Sequence, residues 1–209
     1  MAFPITHIVF TEKVFNKLFS DKDQKKFIIG TSFPDIRYLG TIDREKTHFH
    51  DSSIKDVLKA ESFLGGIKFH AIVDRVREDF IINNGFYDIA PPHENKWIIY
   101  TSIKYYEDLV YYSSSTRWAE YASFFDEILE EEIEFGVERQ VVLKWHEMLK
   151  DYLKNFSTEE SSIKTLMLRM GVKEELLSGL LEYSNQLKTI PKVKSIIDRF
   201  YTDFEDLIE

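Results

Sequence analysis

His70 and Asp74, one helical turn apart in FLGGIKFHAIVDRVREDF, carry the first chemical signal of the chain. Residues i and i+4 of a helix share a face, so an imidazole nitrogen and a carboxylate oxygen can reach one ion. The competing reading is a satisfied core hydrogen bond, which is the commoner fate of such a pair. In KTHFHD, His48 and His50 share a face if the segment is extended, and Asp51 adds a carboxylate. Pro34 fixes a turn that presents Asp35. His7 stands at the start of the first helix, after Pro4. Glycine inside a helix costs about 1 kcal/mol relative to alanine. The Gly65-Gly66 pair therefore marks a close approach to the backbone, by a neighbouring helix or by a ligand. Imidazole and carboxylate donors suit zinc, with manganese or iron as alternatives. The chain has no cysteine, which removes thiolate zinc sites, disulfides and cysteine nucleophiles.

The elements that must position these groups read as helices. Only 8 glycines and 5 prolines occur in 209 residues, against 17 Phe and 11 Tyr, which disfavours a turn-rich β protein. Apolar spacing predicts a helix over Thr6 to Phe19, then a short one through Phe27-Ile28-Ile29, capped by Asp21 and stopped by Gly30. The stretch GTSFPDIRYLGTIDREKTHFHDSS reads as loop. Ser52 or Ser53 caps a helix through Leu58, and a longer helix runs from Glu61 to Ile82. Further helices are expected near Trp97–Tyr112, Thr116–Phe135, Val137–Phe156, Glu159–Met170, Lys173–Lys188 and Lys192–Ile208. Gly136 and Gly171 fit positions just past helix ends. Ser157 with Glu160 fits a capping box, and Pro191 suits a first turn. The acidic run DEILEEEIEFGVE reads as a solvated helix face. The expectation is one all-α multi-helix domain over residues 1–209, with a metal-site half, 1–95, and a helical scaffold, 96–209. Five of the six histidines lie in the first half. His146, on a late helix, reads as a core or surface residue. The net charge of -9 disfavours a coat for duplex nucleic acid. No apolar run approaches a membrane span and MAFPITHIVFTEK lacks a basic leader, so a cytoplasmic location is expected.

Four stretches in order, FPITHI, FIIGTSFPDIRY, KTHF and FLGGIKFHAIVD, together resemble the zinc-dependent phospholipase C family, relatives of secreted single-strand nucleases. The resemblance covers roughly the first 80 residues. It implies an all-α bundle of that type holding one or two zinc ions. Asp35, His48, His70 and Asp74 would surround one zinc, and Asp74 would bridge to a second held by His7. A metal-bound hydroxide would attack phosphorus, with Asp35 as general base or water-orienting group. The implied activity is a phosphoric ester hydrolase, a phosphodiesterase or phospholipase C-like enzyme. Its partner would be a phosphate-ester small molecule or a phospholipid head group. In the family an N-terminal amine completes the second site. Removal of Met1 would expose Ala2, which lies nearer His7 in sequence than that amine does.

The family's third zinc site departs here, because Phe80 and Trp97 stand where ligands are expected. His50, His93, Glu78 and Glu94 are the substitutes the sequence offers. Arg37, Arg44 and Arg75 are candidate phosphate contacts. Two other readings stand beside the hydrolase. One is a catalytically weak metal-binding relative acting as an interaction protein. The other is an HD-type phosphohydrolase using His50-Asp51 with a downstream carboxylate, for which Asp108 is the candidate.

Overall fold

Residues 2–156 and 160–208 are described by the computed structural model, and every regular element among them is helical. In order they are α1 (Pro4–Leu18), α2 (Gln24–Ser32), α3 (Ile54–Lys59), α4 (Ser62–Asn83), α5 (Phe86–Ile89), α6 (Lys96–Tyr111), α7 (Trp118–Phe124), α8 (Glu130–Glu134), α9 (Arg139–Asn155), α10 (Ser161–Arg169), α11 (Glu174–Lys188) and α12 (Pro191–Leu207). Among them no helix is long and apolar enough to cross a membrane. The architecture is a multi-helix bundle. Ser157, and with it the expected Ser157–Glu160 capping box, lies outside the described residues.

Local chemistry accounts for most boundaries. Asp23, not Asp21, caps α2 by accepting from Lys26 N at 2.9 Å. Ser53 and Asp56 form a reciprocal capping box that opens α3. Pro191 sits in the first turn of α12, and Gly136 and Gly171 take positive φ just past α8 and α10. The stretch Phe33–Leu39, expected as loop, is a 3₁₀ helix that continues directly from α2. The helix expected over Thr116 to Phe135 is broken into α7 and α8. The cause is Glu132, whose carboxylate accepts from Leu129 N at 2.9 Å and so starts a new helix. Glu132 is fully buried and pairs with His146 at 2.8 Å. The acidic run is thus not wholly a solvated face.

α4 is the axis of the first half. It packs along α2 with almost no space between backbones. A Cβ on Gly66 would lie 2.1 Å from Phe27 O, and one on Gly30 would lie 2.1 Å from Phe63 O. Gly30 therefore does not stop α2, which runs on to Ser32. Its role is the close approach, and the same holds for Gly66, so a helix rather than a ligand meets the glycine pair. Around this seam Phe19, Phe27 and Phe69 are fully buried, with Phe19 and Phe27 stacked at 4.9 Å and Phe69 edge-on to Phe19 at 5.3 Å. Burial of each ring contributes about 1.5–3 kcal/mol. One buried apolar cluster runs from this region into α6, α9, α11 and α12.

α1 lacks a cap of its own, because Phe3 precedes it with extended backbone and no side-chain bond. The cap comes from α6. Asp108, fully buried, accepts from Thr6 N at 2.8 Å, from Thr6 Oγ1 at 2.6 Å, from Ile5 N at 3.3 Å and from Tyr152 OH at 3.0 Å. Its carboxylate meets the orphan N–H groups and positive dipole end of α1.

The α2–α4 seam gives a direct test. Gly66→Ala should destabilise the chain by about 3 kcal/mol through overpacking against backbone. Gly136→Ala, with φ 81° but open space around it, should cost about 1 kcal/mol. Urea unfolding of the two variants reads the difference.

Candidate metal centre

The close approach of α2 and α4 has a chemical product. It sets Thr31 O against His70, whose Nδ1 lies 2.8 Å away. Nδ1–H donates to that carbonyl, so Nε2 keeps its lone pair and turns away from α2. Asp74, one turn on, follows at 3.4 Å from His70 Nε2. α1 adds His7, whose ring stacks on His70 at 3.8 Å and whose Nε2 lies 3.3 Å from Asp74 Oδ1. The segment before α3 adds His48. Its Nδ1 meets Thr47 Oγ1 at 3.1 Å, and its Nε2 lies 3.9 Å from Asp74 Oδ2. The 3₁₀ turn after α2 adds Asp35, presented by Pro34 and 5% exposed.

Two sets of donor atoms lie within 4.8 Å of one another: His7, His70 and Asp74, and Asp35, His48 and His70. All five side chains are buried. Among the described residues, His7 Nε2, His48 Nε2, His70 Nε2 and Asp35 Oδ1 are buried atoms with no hydrogen-bond partner. Orphaned buried acceptors are costly, about 1–3 kcal/mol each, and converging ones fit a cation. This donor set suits zinc or another divalent transition ion. The resemblance makes Asp74 the bridge between two ions, whereas His70 is the member common to both sets.

The electrostatics favour the ligand role for His7 and His48. Burial, and then the neighbouring His70, hold His7 and His48 down to about 3, so both imidazoles are neutral near pH 7. Burial also opposes the charged form of His70, but Asp74 and Asp35 outweigh it and raise His70 above its ordinary value. Burial pushes Asp74 up, yet the positive charges around it and the close approach of His7 and His70 carry it well below the carboxylate range. Its Oδ1 also accepts from Ala2 N at 2.6 Å. Despite the short separation from His7, Ala2 thus reaches the site.

The remaining sequence candidates fall outside the cluster. His50 is exposed and its Nε2 accepts from Arg44 Nη1 at 3.1 Å. His93 is exposed, with Nδ1 accepting from Asn95 N at 3.0 Å, and Glu94 is exposed beside it. Glu78 accepts from Tyr87 OH at 2.9 Å and from Arg77 Nη1 at 3.3 Å. None of the four joins either donor set. Asp108 is not a ligand either, since its oxygens are committed to α1 and Tyr152. Arg37 lies over the Tyr38 ring at 4.2 Å with Nη2 3.9 Å from Asp35. Arg75 donates to Ser52 O at 3.0 Å and pins that loop to α4. Arg44 and Arg75, with His50, line a cleft of about 450 Å³ that opens on Asp74.

Sequence reasoning missed three groups at this cleft. Arg77 and Lys104 both line it, and Glu107, 1% exposed, holds Arg77 Nε at 2.7 Å. Two of these come from α6, so the second half is more than scaffold. Arg77 could have been found as the next member of the His70–Asp74 face, three residues beyond Asp74. The chain has no significant match among protein-family models, curated proteins or solved structures.

Asp108 makes the stability of the fold sensitive to pH. Burial, only partly offset by bonds from Thr6, Tyr152 and Ile5, pushes its carboxyl from 3.8 up to about 7. The folded chain then keeps a proton that the unfolded chain releases. Stability from this group falls as pH rises from near 3.8 to about 7, by roughly 4 kcal/mol at most. Asp108→Asn should flatten that decline in thermal melts of the metal-free protein. Asp108→Ala should destabilise it by about 3 kcal/mol at every pH, because four donors lose their acceptor.

Proposed function

We propose that the chain is a metal-dependent phosphoric ester hydrolase of the zinc-dependent phospholipase C type. The observation that carries this reading is the convergence of His7, Asp35, His48, His70 and Asp74 in one buried cluster that adjoins a cleft lined by Arg44, Arg75, Arg77 and Lys104. When bound, zinc supplies Lewis acidity and a nucleophile that is ionised near neutral pH. The chain's own residues do the rest. His7 and His48 offer neutral imidazole donors, and His70 offers its Nε2 on release of its proton. Thr31 O fixes the tautomer of His70. Asp74 supplies the carboxylate within reach of all three histidines. Asp35 is the general base or orienting group for the attacking water, held rigid by Pro34. Ala2 N sits on the same carboxylate, where the resemblance puts an amino-terminal ligand.

The second reading is a binding protein that uses this centre without turnover. It is supported by the exposure of His93 and Glu94, which leaves no third ion site of the family kind among the described residues. The HD-type reading has less support, since His50 and Asp51 are exposed and Asp108 is spent as a helix cap.

Metal content separates these readings. The purified chain should hold one or two equivalents of zinc, or of manganese or iron, by elemental analysis. His70→Ala should lose the metal, and His50→Ala should keep it. Asp35→Asn should lower turnover of bis-p-nitrophenyl phosphate or p-nitrophenyl phosphate by about 100-fold or more. A folded chain that takes up no divalent ion would overturn the proposal, and a metal-loaded one with no turnover would favour the binding protein.

A further inference from the structure

A second chamber of about 300 Å³ adjoins the cleft beside Asp74, and Lys104 and Tyr100 line both. The two chambers are chemically unlike. The second is walled by Phe3, Trp97, Met167, Met170 and Val172. The first carries Arg44, Arg75, Arg77 and Lys104 against Asp74, Glu78 and Asp79. Its acids are largely engaged. Glu78 is bonded to Tyr87 and Arg77, and Asp74 faces the histidines.

Its cations are not all engaged. Arg77 is 1% exposed, with Nε on Glu107 and Nη1 on Glu78, yet among the described residues Nη2 is buried with no acceptor. Among the same residues the Lys104 ammonium has no hydrogen bond or ion pair, and its nearest aromatic partner is the Phe3 ring at 5.9 Å. A buried guanidinium donor left unmet is expensive, and Arg77 lines the cleft together with Lys104, so an anion there would meet two positive charges. A cationic head group entering the apolar chamber would instead meet the like charge of Lys104 in its wall.

We propose that the two chambers form one site for an anionic phosphoric monoester bearing an apolar or aromatic arm. The phosphate is held by Lys104 and Arg77, and the arm lies against Phe3, Trp97 and Met170. This rests on the hydrolase reading for the identity of the anion, and it narrows the substrate class away from cationic head groups. Met167 and Met170 give the arm an adaptable wall, so the chamber selects for apolar character more than for one shape.

The test is calorimetric, on the full chain, chelated so that turnover does not consume the probes. Inorganic phosphate, 1-naphthyl phosphate and phosphocholine are titrated in turn. Naphthyl phosphate should bind at least tenfold tighter than inorganic phosphate, and phosphocholine no tighter. Lys104→Met should weaken both phosphate and naphthyl phosphate at least tenfold without lowering the melting temperature, and Lys104→Arg should restore both. Trp97→Ser should remove only the naphthyl advantage. Equal affinity for the first two probes, no binding of either, or a Lys104→Met chain that binds like wild type would each overturn the assignment. Zinc uptake, measured separately, reports on the hydrolase reading. Its absence would sink that reading while leaving these binding results to stand or fall on their own.

Discussion

A single backbone acceptor, Thr31 O, decides what His70 can be. Imidazole has one donor and one acceptor nitrogen when neutral, and the Thr31 carbonyl takes the donor. The other nitrogen must then face Asp74 and the remaining histidines. Nothing about Thr31 as a residue type produces this, since the group is main chain. It follows from how near α2 comes to α4, and that distance exists only because Gly30 and Gly66 have no Cβ. The chemistry of the centre therefore begins in a packing constraint one helical turn before it.

The same seam is held at its far end. Ser32 O, next after Thr31, accepts from Trp145 Nε1 of α9 at 3.2 Å. Two successive carbonyls at the end of α2 thus serve two different neighbours, one in the site and one in the scaffold. The 3₁₀ continuation through Phe33–Leu39 then brings Asp35 round without a flexible link. Rigidity matters because ligands on stiff elements need little reordering when an ion arrives.

What the sequence made legible was whatever depended on short range. The His70–Asp74 spacing, the Ser53 cap and Pro191 are local, and the structure places each where local rules put it, whereas the extended turn expected at Pro34-Asp35 is wound into a 3₁₀ helix with Phe33 in helical backbone. The convergence of His7 with His48 was legible only through the resemblance, because no local rule joins residues so far apart. Gly30 was misjudged because a glycine that ends a helix and one that admits a neighbour look alike in one dimension. Glu132 was hidden among other acids, although it alone of the acids in its run is buried. Lys104 and Asp108 lie in a stretch whose pattern announces only an amphipathic helix, and their partners are about a hundred residues upstream. The Thr31 carbonyl has no signature in sequence at all.

Glu107 and Asp108 are neighbours on α6, and neighbours on a helix point about 100° apart. Glu107 grips Arg77 on α4, while Asp108 grips the first turn of α1. One peptide unit therefore tethers both of the helices that carry His7, His70 and Asp74. α6 behaves as a clasp: it cannot slide by a turn, or rotate, without pulling both ligand-bearing helices in different directions. The position of His7, His70 and Asp74 and that of the cleft-lining Arg77 are thereby set by one mechanical joint, so a change that loosened one would loosen the other.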